Sequence, residues 1–371
     1  MKKFLTLLFA ACIALPLFAQ RKGKIEIPDL TGYVTLKCDF HMHSIFSDGV
    51  VWPTVRIDEA YREGIDAIAI TEHLESRRYM QIIEQFTDVS FKTTSHNLSY
   101  EIMKDYAKER GIILIRGGEI TRGMPPGHNN AIFITDADAL ATPQYMDAFR
   151  AAKAQKAFVF WNHPGWLSQQ PDTTLWFDLH TQLLQEGLIQ GMEVVNTGPY
   201  YPEAHRWCLE KKMTMIGNTD SHAPIPPFAP GKHRNMTLVF ARSATPEAIY
   251  EALKERRTAV YFDEFVIGEE IYLKELLENA LDINVTKNDN NTATIFIKNK
   301  SDLTFRLKSA GHDSRLVYLR NVNLLPFTIA PQGVQMITVR LNDGVKGGDV
   351  NVCVENFLVE PEKGMVYTIK I

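Results

Sequence analysis

The sequence predicts an α/β fold followed by a small all-β sandwich, and three observations carry that expectation. From about residue 33 to 260, short apolar runs alternate with amphipathic stretches, the pattern of strands and helices in turn. After about residue 265 the helical periods give way to alternating runs separated by Asn, Asp and Gly. Six of the eleven histidines fall just beyond or beside a predicted strand, which makes the strand ends the functional edge.

The predicted strands are Val34–Phe40, Ala67–Ile70, Ile112–Ile115, Ala131–Ile134, Ala157–Trp161, Met192–Val195, Met213–Ile216 and Thr237–Phe240, mostly short and rich in Ile, Val and Phe. Between them lie helical stretches at Val55–Arg62, Tyr100–Arg110 and Pro202–Lys212. A better-marked helix follows Thr245-Pro246-Glu247, which offers an N-cap, a proline at the first helical position and an early acid. Its Ile249 and Leu253 then share a face. A short helical stretch over Glu269–Leu281 leads into strands at Thr292–Lys298, Val334–Leu341 and Val366–Ile371.

Residues 1–19 read as a secretory signal peptide: Lys2 and Lys3, an apolar run from Phe4 to Phe18, then Ala19-Gln20. That run is shorter than the ~18–20 residues a spanning helix needs, so no membrane span is expected. Cleavage at Ala19 is favoured over lipid anchoring at Cys12, because the apolar run continues past that cysteine. The expected product is a periplasmic or secreted protein with two units, residues 20–265 and 266–371. A net charge of −4, more negative once Lys2 and Lys3 are lost, disfavours binding to a nucleic-acid polymer. With 45% hydrophobic and 23% charged residues the chain is ordinary globular material. Cys38, Cys208 and Cys353 are too few and too scattered for a disulfide framework and read as buried small hydrophobes.

The chemistry gathers in a few short motifs. His41-Met42-His43 follows the first strand, and residues two apart on an extended chain point to one side, so both imidazoles can share a metal. Glu72-His73 closes the second strand, Glu119 follows the third, His163 follows the fifth, and Asp220-Ser221-His222 follows the seventh. Asp48 lies in the loop after His43. Ends of consecutive strands in an α/β barrel converge on one mouth, which brings residues distant in sequence into one pocket. His128 is the exception, since it precedes its strand and requires the loop to fold back. A lone histidine is usually an ordinary hydrogen-bonded residue, and His96, His180, His205 and His312 are read so.

His41-Met42-His43-Ser44, Ser47-Asp48-Gly49, Thr71-Glu72-His73, Gly118-Glu119, His128, Asn162-His163-Pro164 and Asp220-Ser221-His222, in this order, resemble the motifs of the PHP (polymerase and histidinol phosphatase) family. The resemblance covers roughly residues 33 to 260. It implies a distorted seven-stranded α/β barrel with a trinuclear metal centre. One metal would take His41, His43, Glu119 and Asp220. A second would share Glu119 and add His128 and His163, and a third would take Asp48, His73 and His222. No expected ligand position is missing, which resembles an active enzyme.

Mixed imidazole and carboxylate ligands suit two to three divalent transition-metal ions such as Zn, Mn or Fe. Such ions lower the pKa of bound water from about 15.7 towards 7, so a bridging hydroxide can attack phosphorus without a Ser or Cys nucleophile. Asp220 is expected to steer the nucleophile's proton, and no leaving-group acid is assigned. Arg122, between Glu119 and His128, and His233, within Lys232-His233-Arg234, are the expected substrate-binding residues. Trp161, Trp166 and Tyr200 are candidates for an apolar leaving-group pocket.

The expected function is therefore that of an exported metal-dependent phosphodiesterase acting on small organic diesters. The combination of leader, barrel and C-terminal β unit is similar to exported members of the family. A metal-dependent amidohydrolase or a phosphomonoesterase on the same barrel is the alternative, and a non-catalytic surface-binding protein is a further one. No partner is assigned to the β unit.

Overall fold

The computed structural model describes residues 23–79, 95–289, 291–311, 313–320, 327–345 and 347–371. The leader and His312 lie outside them. No described helix is long and apolar enough to cross a membrane.

The first unit is built from strands β1 (Val34–Asp39), β2 (Ala67–Ile70), β3 (Ile113–Ile120), β4 (Asn129–Ile132), β5 (Phe158–Trp161), β6 (Gly191–Asn196), β7 (Thr214–Asn218), β8 (Met236–Ala241), β9 (Thr258–Phe262) and β10 (Phe265–Gly268). Helices α1 (Pro53–Glu63), α2 (Leu98–Arg110), α3 (Tyr145–Ala154), α4 (Asp178–Gln185), α5 (Pro202–Lys211) and α6 (Pro246–Lys254) connect them. The apolar runs predicted from sequence are all strands, with ends moved by up to five residues. The largest change is β3, which continues through Gly117-Gly118 and so carries Glu119 inside the strand. Helices α3 and α4 and the β9–β10 hairpin were not expected. At α6 the Thr245 hydroxyl accepts from the Ala248 N–H at 3.3 Å, as its N-cap signature predicts.

Strand order runs β8-β1-β2-β3-β4-β5-β6-β7. Most neighbours are parallel, but β4 is antiparallel to both β3 and β5, and β8 to β1. The reversal of β4 resolves the anomaly of His128: the start of an antiparallel strand lies at the same mouth as the ends of its neighbours. No ladder joins β7 to β8. Instead the Thr237 hydroxyl donates to the Gly217 carbonyl and accepts from its N–H, both at 2.9 Å, and Thr258 Oγ1 donates to the Met215 carbonyl. The seam is tight at Gly217, where a Cβ would lie 2.2 Å from Val260 Cγ1. These hydroxyls occupy backbone groups that a sheet edge would leave bare.

Helix α7 (Glu270–Ala280) leads to β11 (Leu281–Lys287), β12 (Thr292–Asn299), β13 (Phe305–Ser309), β14 (Leu316–Arg320), β15 (Phe327–Ile329), β16 (Val334–Leu341), β17 (Asp349–Glu360) and β18 (Lys363–Lys370). One sandwich layer is the antiparallel sheet β11-β12-β16-β14. The other contains β15, β13, β17 and β18 and is continuous with the barrel sheet, because β17 pairs in parallel with β10 at Val266–Phe357 and Ile267–Leu358. The apolar core is continuous as well: Ile295, Ile337, Phe305 and Val352 share a cluster with Ile57, Met103, Phe240 and Leu273.

Candidate metal centre

Backbone hydrogen bonds draw the ligand-bearing segments together in pairs. Asp220 N–H donates to the His41 carbonyl at 2.9 Å, and His43 N–H donates to Ser221 at 3.0 Å, joining the ends of β1 and β7. Glu119 N–H donates to Glu72 O at 3.0 Å, and Asn162 N–H donates to His128 O at 2.9 Å. The buried Arg56 of α1 fixes the first pair further, donating to the carbonyls of His43 (2.9 Å), Ser221 (2.9 Å) and Ala223 (3.0 Å). Two of the expected ligands carry backbone strain, His163 with φ 31° and Asp220 with φ 52°. A non-glycine residue held there costs of order 1–3 kcal/mol, the kind of strain that clusters at functional sites.

All nine residues expected as ligands come together. His41 Nε2 lies 3.1 Å from His43 Nε2, 3.0 Å from Asp220 Oδ1 and 3.5 Å from Glu119 Oε2. His43 Nε2 is 3.1 Å from Asp220 Oδ1 and 3.3 Å from Glu119 Oε2. The other Glu119 oxygen is 3.0 Å from His128 Nδ1 and 3.9 Å from His163 Nε2, and His163 Nε2 is 3.9 Å from Asp220 Oδ2. A third group centres on Asp48 Oδ1, 3.1 Å from His222 Nε2 and 3.5 Å from His73 Nε2. The groups that could hold an ion overlap: His43 also stands with Asp48, His73 and His222, and His73 Nδ1 lies 2.8 Å from Glu119 Oε2, beside His128.

The hydrogen bonds on the far side of the rings decide what the near side offers. His41 Nδ1 faces the buried Glu193 carboxylate at 2.8 Å, so it carries a hydrogen. His43 Nδ1 faces Ser47 Oγ at 3.2 Å, whose own hydrogen goes to Glu72 Oε2 at 2.5 Å, so His43 must donate there as well. In the neutral rings both Nε2 atoms therefore present lone pairs, 3.1 Å apart, to two carboxylate oxygens. Four lone-pair atoms converging without a hydrogen between them call for a cation. Asp48 Oδ1, Glu119 Oε2, Asp220 Oδ1 and His128 Nδ1 are correspondingly buried without a hydrogen-bond partner. The donor set fits a divalent transition metal.

Burial opposes a charge on His41, but Asp220, Glu193 and Glu119 outweigh it and push the imidazole well above its usual range, so the site draws positive charge, as a proton on His41 or as a metal ion. Burial pushes the Glu119 carboxyl up, but the His73 and His41 imidazoles overcome it and hold it well below the usual range. Burial likewise opposes ionisation of Asp220, and His41 and His43 reverse the balance. Burial drives His43 down to about 4, which keeps its ring neutral.

Above the cluster lies a cavity of about 440 Å³, with metal-centre residues as its floor and Trp166, Asn196, Thr197, Pro199 and Tyr201 as its wall. The expected substrate-binding residues are not among those lining it. The Arg122 guanidinium is held by Glu75 at 2.9 Å and by the Thr142 carbonyl at 2.7 Å, because the 122–128 loop turns its side chain outward while bringing His128 in. His233 stacks on Tyr261 with 3.8 Å between centroids and faces the carbonyls of Arg234 and Asp263. It lines clefts beside Lys24, away from the metal centre. Arg234 is buried against Asp39 (3.0 Å) and Glu63 (2.7 Å). Of the three aromatic candidates Trp166 alone lines the cavity: Trp161 is core, stacked on His180, and the Tyr200 hydroxyl binds His205.

Sequence reasoning missed the residues that orient the ligands. Glu193 accepts from His41 Nδ1 (2.8 Å), Asn218 Nδ2 (2.9 Å), the His163 N–H (2.7 Å) and Asn196 Nδ2 (2.7 Å). Asn162 Nδ2 donates to Glu119 Oε1 at 2.9 Å, and Glu72 gathers Ser44 and Ser47. A carboxylate alone in the apolar run Met192–Val195 was the available signal for Glu193. His180 is more than a core histidine: its Nδ1 accepts the Phe177 N–H at 3.2 Å, so Nε2–H donates to the Pro126 carbonyl at 3.0 Å and braces the loop that carries His128.

Comparison with known proteins places this geometry in a family. A family model described as an Ig-like domain matches residues 281–370. An uncharacterized protein of Methanocaldococcus jannaschii is 36% identical over 91 residues, 24% of this chain and 36% of that protein. A crystal structure from Bacteroides vulgatus, described as a two-domain protein containing a predicted PHP-like metal-dependent phosphoesterase, is 50% identical. It covers 95% of this chain and 100% of its own, with a TM-score of 0.88. The chain belongs with this two-domain protein to the PHP-like metal-dependent phosphoesterase family.

Proposed function

We propose that the protein is an exported phosphodiesterase that hydrolyses small organic phosphodiesters at a centre of two to three divalent transition-metal ions. The observation that carries the reading is the convergence of Glu119 Oε2 and Asp220 Oδ1 on the paired His41 and His43 Nε2 atoms, each oxygen within 3.0–3.5 Å of both nitrogens. His41, His43, Glu119 and Asp220 would hold one ion, Glu119, His128 and His163 a second, and Asp48, His73 and His222 a third. Bound there, divalent ions would activate water at neutral pH and neutralise charge on the phosphoryl oxygens.

The chain's own residues do the rest. Glu193 and Ser47 fix the His41 and His43 tautomers, and Asn162 fixes the Glu119 carboxylate. Asp220, anionic and open to the cavity, takes the proton of the attacking water. Trp166 and Pro199 supply apolar surface for an organic substituent, and the described cavity wall carries no Lys or Arg to meet the second charge of a monoester. This favours a singly charged diester. Export rests on the leader residues.

The test is metal content by mass spectrometry, paired with hydrolysis of bis(p-nitrophenyl) phosphate and p-nitrophenyl phosphate before and after chelation. Two to three ions per chain and chelator-sensitive turnover that favours the diester support the reading. His41→Ala and Asp220→Ala should abolish turnover in folded protein. Retained activity in both variants, or bound metal with no phosphoester turnover, overturns it.

A further inference from the structure

We propose that Tyr201 is the leaving-group acid of this centre, donating its phenolic hydrogen to the alcohol oxygen released from the diester. The inference rests on the phosphodiesterase reading above and supplies the proton donor that the motifs leave unassigned.

Tyr201 is 93% buried by virtue of 7% exposure, and it lines the cavity beside Asp220, His163 and Trp166. Its backbone is fixed at the start of α5: the N–H donates to Val194 O at 2.9 Å, and its carbonyl accepts the His205 N–H at 3.1 Å. Its ring is fixed by Gly165 in the His163-Pro164-Gly165-Trp166 turn, where a Cβ would lie 2.6 Å from Tyr201 Cδ1 and 2.9 Å from Cε1. Only a residue without a side chain lets the turn that carries His163 close on that ring.

The hydroxyl itself is uncommitted. It has no hydrogen-bond partner among the described residues and is not among the sealed polar atoms, and Tyr201 lines the cavity. A buried tyrosine with a structural role ordinarily finds a partner, as the neighbouring Tyr200 does with His205 Nδ1 at 2.8 Å. The other polar groups of the wall are already engaged. Thr197 Oγ1 donates to Thr219 O or Asn196 Oδ1, and Asn196 Nδ2 donates to Glu193. The histidines of the floor face carboxylates. That leaves Tyr201 as the uncommitted hydroxyl lining the described cavity, and burial raises its phenol above the ordinary tyrosine range, so it keeps its hydrogen at neutral pH.

The step balances. The water oxygen forms the new bond to phosphorus and its proton passes to the Asp220 carboxylate. The bond from phosphorus to the alcohol oxygen breaks with its electron pair on that oxygen, which takes the Tyr201 proton and leaves as the alcohol. The phenolate then recovers a proton through solvent from Asp220, restoring both groups.

An acid matters most for leaving groups that are poor as anions. Metal-loaded wild type and Tyr201→Phe are therefore compared on a series of aryl methyl phosphates from 4-nitrophenyl to 4-methoxyphenyl, with metal content and melting temperature as folding controls. In the wild type kcat should vary little along the series. In Tyr201→Phe it should fall on every member, and at least about tenfold further on the methoxy member than on the nitro member, within the 10²–10⁴-fold range of acid catalysis. Equal loss on all members, no loss, or a wild type already as steep as the variant overturns the assignment while leaving the phosphodiesterase reading intact. If the wild type cleaves no member, the phosphodiesterase reading falls and the assignment with it.

Discussion

Replacing Glu193 by Gln tests whether the metal centre is held from behind. The two side chains have the same shape, so packing is unchanged, but one acceptor oxygen becomes an NH2 donor. Each Glu193 oxygen receives two donors: His41 and Asn218 on Oε1, and the His163 N–H and Asn196 on Oε2. Whichever way the amide turns, two donors face a donor. Facing His41, it could be accommodated only if the ring moved its hydrogen to Nε2, which would withdraw that nitrogen from the metal. Facing His163 instead, it unseats the backbone of a residue already held at φ 31°. Hydrogen bonds to charged groups are worth about 1.5–3 kcal/mol each, so two losses come to about 3–6 kcal/mol. At about 1–2 °C per kcal/mol for a chain of this size, the melting temperature should drop by ~4–8 °C. Loss of the partner behind a metal-binding imidazole weakens metal affinity about 10–100-fold. Calorimetric titration of the chelated protein with Zn or Mn, together with thermal melts, measures both. A variant that melts and binds metal like the wild type would refute the reasoning.

Two further outcomes follow from the fold. Gly217→Ala should destabilise by about 1–3 kcal/mol through overpacking against Val260, and Val260→Ala in the same chain should restore most of it; denaturant melts that show additive losses would deny the close contact. Burial pulls the His180 pKa down to about 4, so its neutral ring favours the folded state fully above the unfolded value near 6.5. That contribution, up to about 3 kcal/mol, is lost as pH falls from 6.5 towards 4. Urea midpoints for wild type and His180→Phe should therefore converge across that window, and parallel pH profiles would contradict it.

The ligands were legible in the sequence because each lies within a few residues of an apolar run, and strand ends of an α/β barrel have one destination. His128 seemed misplaced only because the direction of β4 is set by tertiary pairing. Arg122 was judged by its place between two ligands and His233 by its basic neighbours Lys232 and Arg234, but loop residues take their direction from partners such as Glu75 and Tyr261, which sequence does not place. Glu193 and Arg56 went unassigned for a related reason. A charged residue in a buried element looks like an exception to the pattern until the four donors of one, or the three carbonyls of the other, are assembled around it.

Strand β17 serves two structures at once: it pairs with β13 and β18 in the sandwich and, nearer its end, with β10 of the barrel hairpin. A chain stopped near residue 280 would keep the whole metal centre yet expose β10 as an unprotected edge open to strand exchange with another copy. It would also strip Leu358 from the apolar cluster that contains Tyr201 and Trp207. Recombination between relatives is constrained in the same way. A foreign C-terminal domain grafted onto this barrel would have to bring a strand that matches β10 in register.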